Sequence, residues 1–348
     1  MKIAFIINDI MSEKEDYTTI CLAHKALTKG FDVSLVSLGD FDYCPNGDIT
    51  AKAAKPRSLK YKNIASFLKD IQESYSDDIK VQLNKVDIIM LRADPADEVD
   101  KRPWAPNSSL LFSQLAAKEG VIVLNDPRHL TDASTKTYFQ HYPKAIRPKT
   151  CITRDANMIK KFIEDEGGKA VIKPLVGSGG HGVFLVDKAS TPNINQMIEA
   201  TVKDGYAIVQ EYLPKAAEGD LRVITLNGEI LKVDGVEAVV HRFSKTEDMR
   251  SNISAGGGFE VGELPPEGRK VVELAIPQIK HDGMYLAGLD IVGDKMMEIN
   301  VDSTGGIAEL DELTGIDFSG AIIDDLIRKI EVRDNYQGYF SNSEISIL

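Results

Sequence analysis

Asp290, Glu298 and Asn300 lie in the segment Leu289-Asp-Ile-Val-Gly-Asp-Lys-Met-Met-Glu298-Ile-Asn300, two short apolar runs around a Gly293-Asp294 turn. A three-residue loop, Gly293 to Lys295, sets Asp290 opposite Glu298. Side chains alternate along a strand, so Asn300 shares a face with Glu298. Two carboxylates and an amide oxygen then converge. Like charges that close repel, and a cation relieves the repulsion. All-oxygen ligation suits Mg²⁺, or Mn²⁺, which takes one or two carboxylates and completes its shell with water and phosphate oxygens. The same pattern also describes a plain hairpin with a wet polar face, so the rest of the chain must decide.

A second stretch speaks to phosphate. Ala170-Val-Ile-Lys173-Pro174 reads as a strand, followed by Leu-Val-Gly177-Ser178-Gly179-Gly180-His181-Gly182 and another strand from Val183 to Val186. Glycines this dense serve a backbone that needs unusual dihedrals or close approach to a ligand. Free N–H groups in such a loop cover phosphates, and Lys173 beside them neutralises charge. It is not a Walker loop, because the order is strand–loop–strand and the lysine precedes the glycines. A glycine-rich hairpin turn is the bland alternative, and nothing near His181 orients it as a base.

Arg92 leaves the carboxyl end of an apolar strand, Val86 to Leu91, where open α/β sheets bind ligands. Its planar fork suits a substrate carboxylate, and equally a surface ion pair. Gln210-Glu211-Tyr212-Leu213 ends a further strand, with backbone for an adenine edge and Glu211 for a ribose. Asp220 and Arg222 share a face at the start of a hairpin whose turn is Asn227-Gly228. Arg250-Ser-Asn252-Ile-Ser-Ala-Gly256-Gly257-Gly258 is a second glycine-rich stretch, following a charged loop from His241 to Met249.

The elements that must position these residues begin with strand Lys2–Asn8, a helix over 18–29 and strand Phe31–Leu38, the opening of a doubly wound parallel sheet. The first turn, Asn8-Asp9-Ile10-Met11, lacks G-x-G-x-x-G, which excludes a dinucleotide site there. Ala96–Ser109, with the only tryptophan, Trp104, reads as a packed surface loop. Helices are expected over 110–119, after Pro127 (containing Lys136), over 266–281 and over 317–330. The net charge of 41 − 53 = −12 argues against nucleic acid as a partner, so cations inside motifs carry more weight. Three cysteines without zinc spacing suit a reducing cytoplasm. No apolar run reaches membrane-spanning length, and the N-terminal run is too short for a signal peptide.

Taken in order, Arg92-Ala-Asp-Pro, Lys173-Pro-Leu with Gly-Ser-Gly-Gly, Gln-Glu-Tyr-Leu, Asp-Leu-Arg222-Val, Arg-Ser-Asn-Ile-Ser-Ala-Gly-Gly-Gly and Gly-Leu-Asp290 to Glu298-Ile-Asn300-Val resemble the ATP-grasp ligases. The chain is most similar to the bacterial glutathione synthetase family, over roughly 1–330. The resemblance implies an α/β protein: an N-terminal doubly wound domain (1–127), then an ATP-grasp module of two α+β subdomains (128–214, with the glycine-rich lid, and 215–330, with the metal site), and a tail (331–348). It implies a ligase that uses ATP to join γ-glutamylcysteine and glycine through an acyl phosphate. It assigns Lys136 and Lys173 to the ATP phosphates and 177–180 to their cover. Gln210, Glu211, Tyr212 and Leu213 line the adenosine pocket, with Asp220 near the ribose. Asp290, Glu298 and Asn300 ligate magnesium, and Arg222 stabilises the transferred phosphoryl group. Arg92, Ser303 and Thr304 fix the dipeptide, under a cover containing Arg250, Asn252, Gly256 and Gly257. A homo-oligomer, dimer or tetramer, follows from the resemblance alone.

The chain departs from the family pattern at 96–109, at the missing second proline after Pro95, and at Val301-Asp-Ser-Thr-Gly-Gly. All three places concern the acceptor and donor pockets. Another carboxylate–amine ligase therefore stays open. So does a nucleotide-binding regulator without turnover, although such a protein has less need of three metal ligands.

Overall fold

The computed structural model describes residues 1–98, 101–177, 182–189, 191–203, 205–244 and 257–348. Of the sequence-derived candidates, Ser178, Gly179, Gly180, Arg250, Asn252 and Gly256 lie outside the described residues.

The N-terminal sheet is parallel, in the order β2-β1-β3-β4: β1 is Lys2–Ile7, β2 Asp32–Ser37, β3 Ile88–Leu91 and β4 Ile122–Leu124. β1 after Lys2, β3 and β4 are continuous apolar runs, and β2 is buried after Asp32, as expected of strands covered on both faces. Helix α1 (Thr18–Thr28) crosses between β1 and β2, and α2 (Ala105–Lys118) leads into β4. α2 starts well before the expected 110: Pro106 sits in its first turn, where a missing N–H costs nothing, so the last five residues of the supposed surface loop are helix. A short helix, α3 (Pro127–Asp132), follows. Lys136 is not in it, as the sequence suggested, but opens a separate 3₁₀ stretch, Lys136–His141.

The central part is an antiparallel sheet of β5 (Thr150–Thr153), β6 (Lys169–Pro174), β7 (Phe184–Asp187) and β8 (Ala207–Glu211), ordered β7-β6-β8-β5. Helices α4 (Ala156–Asp165) and α5 (Ile194–Lys203) pack on it through Ile159, Ile163 and Ile198. A third sheet runs β11-β10-β9-β12-β13, with β9 Asp220–Leu226, β10 Val239–Phe243, β11 Gly258–Val261, β12 Leu286–Val292 and β13 Lys295–Asn300. β10 contains His241, Arg242 and Phe243, which the sequence placed in a charged loop; Val239, Val240 and Arg242 are buried, so the strand is fixed by packing.

Helix α6 (Pro266–His281) precedes β12, and α7 (Phe318–Tyr336) covers the end of the chain. The last residues of the tail pack into the fold. A last helix, α8 (Asn342–Ser346), seats on β4: the Asn342 side chain accepts from the Val123 N–H at 2.8 Å and donates to its carbonyl at 2.9 Å. Ile345 and Ser346 are buried there.

Candidate active site

The β12–β13 hairpin places the acidic residues, and Asp290 is the cross-strand partner of Glu298. The connection is shorter than the three residues expected. Gly293 and Asp294 form the turn, so Val292 faces Lys295 and Ile291 faces Met296. A bulge then skips Met297 and restores the Asp290–Glu298 pair. Gly293 has φ +58°, which suits the first central position of so tight a hairpin. Asn300 lies opposite Gly288. A Cβ on Gly288 would stand 2.9 Å from the Arg222 side chain, so glycine there leaves the channel through which Arg222 crosses from β9.

Arg222 is the register partner of Asp290 across β9 and β12 and grips both its oxygens, Nε donating to Oδ1 and Nη2 to Oδ2 at 2.9 Å. Arg242, opposite Asp220 in β10, adds an Nη2–Oδ2 contact to Asp290 at 2.9 Å. Its Nε donates to Asp220 at 2.8 Å. Asn300 donates to Asp290 Oδ2 at 3.3 Å. Burial of the Asp290 carboxyl would raise its pKa, but the charges of Arg222 and Arg242 outweigh that and hold it down to about 2. Burial acts first on Arg242 too, lowering its pKa, yet Asp290 and Asp220 keep that guanidinium charged. Three of these N–H donors crowd Oδ2 of Asp290, and Oδ1 accepts from Arg222 Nε.

Glu298 is half-exposed and meets Lys136 Nζ at 2.5 Å. Desolvation of its carboxyl by the surrounding cavity wall works against ionisation, and Lys136 and Lys173 overcome it, so its pKa lies below the ordinary value. Lys173, near the end of β6, is pushed down to about 8, first by burial and then by the charge of Lys136. The two lysines are brought together because the Lys136 N–H donates to the Leu175 carbonyl at 3.0 Å, just past β6.

Lys136, Lys173, Arg222, Arg242, Glu298 and Asn300 face one cavity of about 710 Å³, while Asp290, an expected metal ligand, stands behind its wall outside the lining. Lys136, Lys173, Gly177, Gln210, Arg222, Glu298 and Asn300 line one part of it; Arg92 and Ser303 line the part toward the N-terminal sheet. Arg92 is buried at 5% exposure, donating to Thr19 Oγ1 at 3.1 Å and to the Thr304 carbonyl at 2.7 Å. Burial lowers its pKa to about 10. Thr304 itself is fully buried, its hydroxyl donating to the Asn300 carbonyl at 2.7 Å.

Other expected residues stand outside the cavity lining. Glu211 accepts from the Lys149 N–H at 2.8 Å, and the Tyr212 ring lies under Lys169 Nζ at 4.0 Å. Leu213 precedes a 3₁₀ turn, Pro214–Glu218. Asp220 is engaged by Arg242, and Gly257 borders β11.

Two features escaped sequence reading. One is Arg242; the alternation Val239-Val-His-Arg-Phe opposite Asp220 was its only signal. The other is an acidic end around Arg92, formed by Glu13, Asp94, Asp302 and Glu309. Burial pushes Asp302 up to about 8, aided by Asp94 and opposed by Arg92. Burial likewise lifts Glu13 to about 7 against the pull of Arg92. Nothing in the sequence brings Glu13 to Asp302: the parallel sheet sets the loop after β1 beside Arg92, and packing against the third sheet brings the end of β13 to the same place.

Comparison with known proteins gives this geometry a context. The N-terminal domain of prokaryotic glutathione synthetase matches residues 1–131, and the ATP-grasp domain of the same family matches 135–315. The chain is 30% identical over 331 residues to the glutathione synthetase of Synechocystis sp., covering 93% of this chain and 98% of that one. It is 34% identical over 239 residues to that of Thermosynechococcus vestitus, covering 67% and 70%. Among solved structures, the macrocyclase MdnC of Microcystis aeruginosa superposes with a TM-score of 0.62 at 15% identity, covering 94% of this chain and 100% of that one. D-cycloserine synthetase DcsG does so at 0.61 and 12%, covering 93% and 99%. The likeness to these structures is one of fold, and that fold is ATP-grasp.

Proposed function

This chain belongs to the prokaryotic glutathione synthetase family, and we propose that it makes glutathione, joining the C-terminal carboxylate of γ-glutamylcysteine to the amine of glycine. It is an ATP-dependent carboxylate–amine ligase. The observation that carries the proposal is one continuous cavity with Lys136, Lys173, Arg222, Glu298 and Asn300 at one part and Arg92 at the other. A triphosphate suits the first part and an anionic acceptor the second.

A carboxylate does not condense with an amine directly, because its oxygen is a poor leaving group. In the proposed reaction a carboxylate oxygen attacks the γ-phosphorus and ADP leaves. The glycine amine then adds to the acyl carbon, loses a proton, and phosphate departs. Catalysis of this kind is mostly positioning and charge neutralisation. Lys136 and Lys173 hold the phosphates. Arg222, fixed by Asp290, presents its guanidinium where charge builds up. The side chains of Glu298 and Asn300 would supply oxygen donors that fit Mg²⁺ or Mn²⁺, with the Asp290 carboxylate behind them. Bound there, such an ion neutralises the triphosphate. The acidic end suits the free α-ammonium of a γ-glutamyl group, with Arg92 for its carboxylate. The proposal places the enzyme in the cytoplasm, where its three free thiols and a thiol substrate stay reduced, and as a homo-oligomer.

The test is phosphate release with γ-glutamylcysteine plus glycine, set against a panel of other acceptor and donor pairs. Turnover of that pair above all others is expected. Preference for a different pair would point to a sister ligase. Nucleotide binding without any release would leave a non-catalytic regulator. Glu298→Gln and Arg222→Ala should each lower kcat at least ~10²-fold with the fold retained, and a normal rate in either would remove that residue from the machinery.

A further inference from the structure

A second group of ligating side chains lies outside the active-site cavity. His129 from α3, His281 from the end of α6 and Asp282 beyond it each offer a ligand atom, and these atoms all lie within 4.8 Å of one another. We propose that His129, His281 and Asp282 form a binding site for a transition-metal dication of the Zn²⁺ class, stapling the N-terminal domain to the ATP-grasp module.

The ligand chemistry is selective. Two imidazoles and one carboxylate suit Zn²⁺, Co²⁺ or Ni²⁺, whereas Mg²⁺ prefers the all-oxygen donors of Glu298 and Asn300. The surroundings are already arranged as an outer shell. His129 Nδ1 lies 3.1 Å from Asp126 Oδ1, and Asp126 is buried. A proton held there leaves Nε2 with its lone pair, as in carboxylate–histidine–metal triads. Asp282 is also buried, and its Oδ2 is fixed by the Tyr138 hydroxyl at 2.7 Å and Gln278 Nε2 at 2.8 Å. That leaves Oδ1 to a cation. Oδ1 now meets His281 Nδ1 at 2.7 Å. A metal ion would take the place of the proton between them, which moves to His281 Nε2 as the ring changes tautomer, and the carboxylates of Asp282 and Asp126 balance the ion's two charges.

Tetrahedral ligands at metal distances stand roughly 3.3 Å apart, so the site must close by an ångström or more. His281 can supply that movement, since its side chain is 74% exposed, while its ring already sits 5.9 Å from that of His129. The two elements are in contact without the ion: the Asp126 N–H donates to the Gly283 carbonyl at 3.1 Å.

The experiment titrates untagged full-length protein with Zn²⁺ by calorimetry, in excess Mg²⁺ to occupy oxygen sites. One Zn²⁺ per chain is expected, with a Kd of roughly 10 μM or tighter for three protein ligands. His281→Ala and His129→Gln should each weaken it at least ~10-fold while ligase activity stays unchanged. Binding that is absent, or that persists undiminished in either variant, overturns the site. If His129→Gln fails to fold, His281→Ala decides alone, because so exposed a ring is not needed for folding.

Discussion

Lys173 has a property its neighbours impose. Burial and the adjacent Lys136 bring its pKa down to about 8 in the free protein. Triphosphate oxygens beside it would stabilise the ammonium and raise that value, so the nucleotide complex holds more protons than the free protein above pH 8. By linkage, ATP affinity then falls as pH rises through and beyond 8, and should be about tenfold weaker at pH 9 than at pH 7. Lys173→Arg keeps its charge throughout and should flatten the profile. Calorimetric titration of ATP across this range checks both. An equally steep decline in Lys173→Arg would assign the proton elsewhere. Arg242 makes a different residue-scale case. Truncation to Ala would strip one guanidinium from buried Asp290 and remove the ion pair that Arg242 makes with Asp220. Breaking a buried ion pair costs about 3–5 kcal/mol, to be read as a lower urea midpoint.

At the scale of elements, legibility depended on whether a signal was local. The strand–turn–strand around Gly293 was readable because alternation and a glycine turn are written in consecutive residues. Its loop length was not, because a bulge at Met297 compensates a shorter turn and leaves the same Asp290–Glu298 pair. The Asn227-Gly228 hairpin was legible for the same reason; both residues have positive φ, 55° and 68°. Strand β10 was misread because its neighbours in sequence are charged and its burial comes from β9 and β11. The acidic acceptor end escaped altogether, since Glu13 and Asp302 meet only through tertiary packing. Helix α8 is a similar case: a polar terminal segment turns out to cap a sheet edge. Asn342 satisfies both backbone groups of Val123 and also donates to Asp126 at 2.8 Å. Asn342→Ala should therefore destabilise the protein by about 2–3 kcal/mol, two backbone hydrogen bonds' worth. The exposed Asn335→Ala should change it by less than about 0.5 kcal/mol. Equal denaturant midpoints for the two variants would mean that α8 contributes nothing to the sheet edge.

The whole molecule divides by its cores rather than by its order in sequence. One apolar cluster joins Ile3, Phe5 and Leu124 to Ile224, Val240, Leu286 and Phe318. Another joins Ala4, Ile6 and Val123 to Val223, Leu289 and Ile291. Both therefore run from the N-terminal sheet into the sheet that carries Arg222 and Asp290, and these two parts should unfold together. The central sheet has a separate, small core of Ile159, Ile163, Ala170, Ile172, Val186, Ile198, Ala207 and Val209. So few buried side chains give only marginal stability to a unit of this size. Its ties to the rest include the hydrogen bond from the Lys136 N–H to the Leu175 carbonyl. Calorimetry should resolve two transitions, with amides of β6 and β8 losing protection from hydrogen exchange in the lower one. ATP bridging Lys173 and Gln210 to Lys136 and Arg222 would bind only when both units are folded. At a hundred times its Kd, ligand binding stabilises by about 2.7 kcal/mol, which should raise the lower transition toward the upper and merge them. A single transition without nucleotide, with β6 and β1 amides exchanging at the same free energy, would show that the three sheets act as one body.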